Sequence, residues 1–254
     1  MTLPDWPLSA LATAWCAFAL FAGYAVRGAA GFGSGVVMTP LMAFVLPLST
    51  VAPLVTFLGL FVSLRQMWID RPLVAWNHLA AFIPGILVGV PLGIWAFREV
   101  DPALLIRALG AYVVAYALYS LFFAHEGAPH RRLPAWTAIP IGTAGSIVAT
   151  LFGGMAGPVY VTYLDGVGLA KRAFRVTVST TLLVLSVVRS VAYLAAGVFR
   201  PQDFLLVLAA ALPVALGTLA GERLHDRIGQ AAFRRMVGGL LVVSGLLLIA
   251  RPGT

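Results

Sequence analysis

Arg189 lies close to the middle of a stretch, bounded by Arg175 and Arg200, that carries no other charge. An arginine near the centre of a membrane helix costs about 3 kcal/mol on insertion scales, so it is expected to face a protein interior or a wet path. Arg65 is its approximate counterpart earlier in the chain. It stands only five residues from Asp70, close enough to snorkel to an interface. Arg27 borders a glycine-rich stretch and could either line a site there or anchor a helix end. A guanidinium presents a fork of N–H donors that suits a trigonal or tetrahedral oxyanion. All nine carboxylates fall at or beside loops, whereas a cation carrier would want acidic groups at membrane depth. The chemistry on offer is the binding of a small anion.

Two stretches could complete such a site. Gly28-Ala29-Ala30-Gly31-Phe32-Gly33-Ser34-Gly35 interrupts an apolar run, and Phe152-Gly153-Gly154-Met155-Ala156-Gly157-Pro158 repeats its character. Gly31/Gly153 and Gly35/Gly157 are both 122 residues apart. Glycine at this density costs about 1 kcal/mol per residue in a helix interior and frees the backbone to leave helical geometry. Within a bilayer, opened backbone is tolerated only where it is buried in protein or lines a cavity. Matched breaks in two halves of a chain point to a transporter's substrate site. A half-helix beginning at such a break offers free N–H groups and the positive end of its dipole. Gly33, Ser34 and Gly35 in the first break, and Gly154, Met155 and Gly157 in the second, are therefore candidate ligands beside Arg27, Arg65 and Arg189. The plainer reading is that these glycines let helices pack closely.

The elements that must position these residues are membrane helices. Of 254 residues, 61% are hydrophobic and 10% charged, against about 25% charged in a soluble domain. The net charge of +8 resides in short loops between apolar runs, which is a topogenic pattern, so no nucleic-acid partner is expected. The partners expected are membrane lipid and a small anion, and a homo-oligomer is left open. One cysteine, Cys16, excludes an internal disulfide and a cysteine-based metal site. No metal or other cofactor is expected. No basic residue precedes the first apolar run, which argues against a cleaved signal peptide.

Residues 28–64 are free of charge and too long for one crossing of a core about 30 Å thick, so this run must fold back. The expected turn is Leu46 to Thr50, with Ser49 or Thr50 as N-cap and Pro53 in the first turn of the next helix. Segments are expected near 6–26, 33–46, 50–69, 74–97 and 103–123. After a polar linker at 125–134 they are expected at 133–164 (glycine-broken), 176–199, 204–221 and 236–250. The fold expected is thus an all-α polytopic membrane protein of two repeats, 1–124 and 135–254.

Parity decides how the repeats relate. If each broken run counts as two segments, each half has five and the second is inverted. Eleven loop or flanking basic residues then fall on one side and four on the other. The richer side is cytoplasmic, both termini face out, and the setting is a bacterial-type inner membrane. If each broken run is one crossing, the halves are parallel four-segment repeats and the division is nine against five. The inverted reading separates charge better.

An enzyme is the competing class. Ser34 as nucleophile and His78 as base would make an intramembrane serine hydrolase. Gly33-Ser34-Gly35 lacks the spacing of a nucleophile elbow, and His78 is near a segment end.

Gly31-Phe32-Gly33-Ser34-Gly35-Val36-Val37-Met38-Thr39-Pro40-Leu41, Pro84-Gly85-x3-Gly89-x3-Gly93 and Phe152 to Pro158 together resemble the sulfite exporter TauE/SafE family. The resemblance covers nearly the whole chain. It implies a membrane transporter of small sulfur-containing anions, such as sulfite, or of organosulfonates and related carboxylates. Arg65 and Arg189 are not part of the general family pattern.

Overall fold

The computed structural model describes residues 9–30, 32–122, 133–199, 203–224 and 230–250. Most of the 125–134 linker, both chain ends and Gly31 lie outside them. The described residues are helical, with no strand among them. The helices are α1 (Ala10–Ala30), α2 (Ser34–Met42), α3 (Leu48–Asp70), α4 (Trp76–Glu99) and α5 (Pro102–Phe122), then α6 (Ala138–Phe152), α7 (Gly157–Asp165), α8 (Lys171–Ala195), α9 (Phe204–Leu224) and α10 (Gln230–Ala250). Seven stretches within them are long and apolar enough to cross a bilayer, and 237–250 is a shorter apolar helix. Large apolar side chains point outward along these helices, such as Leu205, Leu208, Leu212 and Leu216 on α9. Trp68, Trp76, Trp95 and Trp136 are exposed near helix ends. Such an exterior suits lipid, with aromatic rings at the headgroups.

Both charge-free runs break where the glycines stand, giving the nine-residue helices α2 and α7. The turn into α3 differs from expectation. Pro47 is the N-cap, in extended conformation, no side chain caps the helix, and Pro53 lies inside it. An extended proline already positions the chain for a helix start, so neither hydroxyl is needed. Helix α8 begins at Lys171, five residues before the segment expected at 176–199. Arg172 makes two bonds to Asp70 Oδ1 (3.0 and 2.7 Å), and Arg175 donates to the Gly28 carbonyl (3.1 Å). These acceptors hold the basic first turn, whose charges would otherwise oppose the helix dipole.

Four helix pairs form most of the interior: α4 with α6, α1 with α9, α5 with α10, and α3 with α8. Glycines set the direction of each. A Cβ on Gly85, Gly89 or Gly93 of α4 would run into α6 at Ile139, Thr143 and Thr150 in turn, so α4 and α6 are parallel. Gly217 and Gly221 meet Phe21 and Ala25 in the same way, so α9 and α1 are parallel. In contrast, Gly110 lies against Gly245 while Gly238 lies against Leu121, which makes α5 and α10 antiparallel. Helices α3 and α8 are also antiparallel: Asp70 bonds Arg172 near one end, and Gly59 faces Ser186 nearer the centre. Backbones approach closely because small residues line the contacts, which is how helices associate in lipid.

Candidate functional site

The two breaks meet at the centre. A Cβ on Gly35, in the first turn of α2, would lie 2.7 Å from the Gly153 carbonyl oxygen and 2.8 Å from the Gly154 carbonyl carbon. Thr39, one turn along α2, donates its hydroxyl to the Gly153 carbonyl (3.1 Å) and satisfies an acceptor that the end of α6 leaves free. Tyr112 of α5 does the same for the Met155 carbonyl (2.9 Å). Gly33 (φ 91°) and Gly154 (φ 83°) hold left-handed backbone that other residues rarely adopt. Glycine is favoured there by conformation; space is tight only at Gly154, where a Cβ would lie 3.2 Å from the Val55 side chain.

Beside the crossing lies a small cavity of about 20 Å³, room for about one water. Gly33, Ser34 and Gly154 line it from the breaks, Thr56 and Gly59 from α3, Ser186 and Arg189 from α8, and Arg27 from α1. The first-turn N–H groups of α2, from Ser34 to Val36, have no acceptor within their helix. The Gly154 N–H is not available in this way, because it donates to Ala149 O (3.2 Å) and closes α6. On the second break the N–H donors without an intrahelical role are those of Met155, Ala156 and Gly157, and the Met155 side chain is fully buried. Gly157 faces the Phe32 ring of the first break rather than the cavity.

Two guanidinium groups reach this cavity. Arg189 is 1% exposed. It donates to the Tyr193 hydroxyl (3.2 Å) and lies 5.5 Å from the Tyr193 ring centre, while that hydroxyl donates to the Thr150 carbonyl. Arg27 is 5% exposed and spans the gap between α3 and α8, bonding Ser63 Oγ (2.5 Å) and Ser179 Oγ (3.5 Å). The Nε of each is buried and has no acceptor. Among the described residues, neither arginine has a carboxylate within ion-pair distance. A buried cation without a counter-charge is costly, and an anion entering the cavity would relieve both charges at once.

Arg65 does not share this cavity. It is exposed at one end of the bundle and pairs with Glu222 of α9 (3.0 Å). Ser34 lines the cavity, but His78 does not; its ring lies against Tyr163. Sequence reasoning missed Thr56, Ser186 and Tyr193. Tyr193 was within reach, since it follows Arg189 by four residues and so shares its helix face. Thr56 and Ser186 carried no local signal. They matter because antiparallel α3 and α8 bring them to the same level.

Helices long enough to cross a bilayer, two interrupted helices meeting midway and buried cations beside them define a polytopic membrane transporter rather than an enzyme. The chain belongs to the sulfite exporter TauE/SafE family, whose model matches residues 15–248. It is similar to a chain from Comamonas testosteroni described as a probable inner membrane transporter protein, TsaS. The two are 29% identical over 197 residues, covering 77% of this chain and 81% of the relative. No solved structure gives a significant match. The chain is accordingly a multi-pass inner-membrane transporter.

Proposed function

We propose that the protein moves small sulfur-containing anions, such as sulfite or organosulfonates, by alternating access at the crossing of the two breaks. The observation that carries this reading is the pair of buried, carboxylate-free arginines, Arg27 and Arg189, facing one cavity with the open N-terminus of α2. Their sign selects an anion, and their forked donors suit an oxyanion. The sulfur chemistry follows from the family's description; another small inorganic or organic anion is the second reading, because nothing in the lining recognises sulfur as such. A 20 Å³ cavity is too small for any of these ligands, which fits an occluded resting arrangement.

Alternating access asks for two halves that can exchange roles. The directions of the helix pairs support inverted five-segment repeats, 1–124 and 135–254, joined by the 125–134 linker. With α1 matched to α6 and α4 to α9, the α4/α6 contact becomes the α9/α1 contact, and both are parallel. The self-matched pairs α3/α8 and α5/α10 are antiparallel, as inversion requires; parallel four-segment repeats would make them parallel. On this reading the Arg172 and Arg175 end is cytoplasmic and both termini face out.

Two experiments test these readings. In a thermal-shift screen of purified protein, sulfite, thiosulfate or a short sulfonate should raise the melting temperature, since a ligand bound only to the folded state stabilises it. A shift from none of them, but from other anions, would move the assignment to the second reading. In a Cys16→Ser background, single cysteines at the N-terminus and in the 125–134 linker should label from opposite sides of the membrane. Labelling from one side would discard the inversion.

A further inference from the structure

The vestibule at the Asp70 end of the bundle encloses about 210 Å³, and Arg27 forms the wall between it and the central cavity. Its other walls include Arg65, Gln66, Asp70, Arg175, Thr218 and Glu222. The charges here do not cancel. Asp70 is held by Arg172, and Glu222 by Arg65. That leaves Arg27 and Arg175 without a carboxylate among the described residues. Arg175 spends one N–H on the Gly28 carbonyl, but its Nε is buried with no acceptor, and the same is true of Arg27. Two guanidinium groups with unused donors therefore face a space about ten times larger than the central cavity. Beyond Arg27, buried hydroxyls continue inward between α3 and α8. Ser63 and Ser179 lie at the level of Arg27, and Ser186 and Thr56 are next, beside Arg189.

The geometry points to a second oxyanion site in this vestibule, held by Arg27 and Arg175, from which the anion passes to the central site by exchanging Arg175 for Arg189 while Arg27 holds it throughout. This rests on the central site being an anion site. The Arg65–Glu222 and Arg172–Asp70 pairs keep the vestibule's carboxylates occupied, so they do not compete for the two free arginines. A step in which one ligand group is exchanged and another retained avoids stranding the anion without a partner. A basic, low-dielectric cleft at the entrance also raises the local anion concentration.

Sulfite is the probe for the test, titrated calorimetrically into protein in neutral-lipid nanodiscs. Wild type should bind at two sites. Arg175→Gln should lose one of them and keep the other, while Arg175→Lys, which retains the charge, should recover it in part. In proteoliposomes Arg175→Gln should raise KM about tenfold for sulfite presented on the vestibule side, with the maximal rate little changed. Arg189→Gln should keep the vestibule site alone. A single site in wild type that vanishes in Arg189→Gln would overturn the vestibule site and leave the central one standing. No sulfite binding in wild type would instead overturn the substrate assignment itself. Anionic lipid headgroups offer the same chemistry, so the titration is repeated in nanodiscs containing phosphatidylglycerol. Unchanged two-site binding there supports a station on the transport path, whereas selective loss of the Arg175-dependent site would make the vestibule a lipid site and overturn the relay. Should Arg175→Gln not yield monodisperse protein, the Arg175→Lys and Arg189→Gln titrations decide between the same outcomes.

Discussion

Arg189 and Arg65 occupy roughly matching places in the two repeats, yet the protein treats them in opposite ways. Arg189 is 1% exposed, and among the described residues its hydrogen-bond partner is a tyrosine. The Arg65 side chain is 58% exposed and bound to Glu222. The difference lies in what surrounds each side chain, since Arg65 and Arg189 stand at almost the same distance from the ends of α3 and α8. Tyr193 covers the Arg189 guanidinium inside the bundle, whereas the Arg65 side chain opens towards solvent and Glu222 of α9. An arginine whose head group can reach water and an acid is cheap to keep; one covered by neighbouring side chains keeps its charge inside the protein. A duplicated position is therefore not a duplicated role, and the partner of a buried charge says more than its place in a repeat.

Arg189→Gln is expected to have the largest effect on this contrast. It should weaken sulfite binding by about 2–5 kcal/mol, the usual cost of removing one side of a buried charge pair, and Arg189→Lys should cost less. Unchanged affinity in Arg189→Gln, measured by calorimetry on folded protein, would remove Arg189 from the site. Arg27→Gln should follow at about 1.5–3 kcal/mol, in line with losing charge-assisted hydrogen bonds while Arg189 stays in place. Equal losses at the two positions would mean that the anion is shared evenly between them.

Gly35→Ala separates the crossing from the charges. Its methyl group would press on the Gly153–Gly154 backbone, and a fall in unfolding free energy of about 1–3 kcal/mol is expected from overpacking. An unaltered melting temperature would show that the two breaks have room to part. Arg65→Gln should do least. An exposed ion pair contributes about 0.2–1 kcal/mol, and the change in stability should shrink further as salt is raised. If Arg65→Gln impaired binding as severely as Arg189→Gln, the contrast would collapse and the end of the bundle would have to belong to the central site.

Much of this was legible before any coordinates. Thirty-seven uncharged residues from 28 to 64 cannot cross once, and glycine clusters mark where they turn, so α2 and α7 could be read from length and composition. Arg189 was legible because charge is rare in such sequence. What could not be read were relations across the bundle. That Gly35 rests on Gly153, or that Ser63 and Ser179 come to the same arginine, depends on helix pairing that no local pattern encodes. Arg175 was hidden for a different reason. Placed next to Lys171 and Arg172, it counts as topogenic loop charge, and only the early start of α8 turns it towards a cavity. The Gly154 N–H illustrates the opposite error: glycine density suggested a free donor, but closing α6 uses it.

The exchange of partners between halves has a consequence for how the protein is made. Helix α1 packs on α9, and α4 packs on α6, so the main partner of each long helix lies in the other half. During synthesis α1 enters the membrane long before Phe204 has been added to the chain. At ordinary translation speeds that interval is roughly ten to thirty seconds. Throughout it the face of α1 that Gly217 and Gly221 will meet, and the guanidinium of Arg27, must be tolerated by lipid, by water at the interface or by the insertion machinery. Assembly is then a late annealing of helices already in the bilayer, and a ribosome that stalls before α9 leaves behind a half-protein with an unmatched seam.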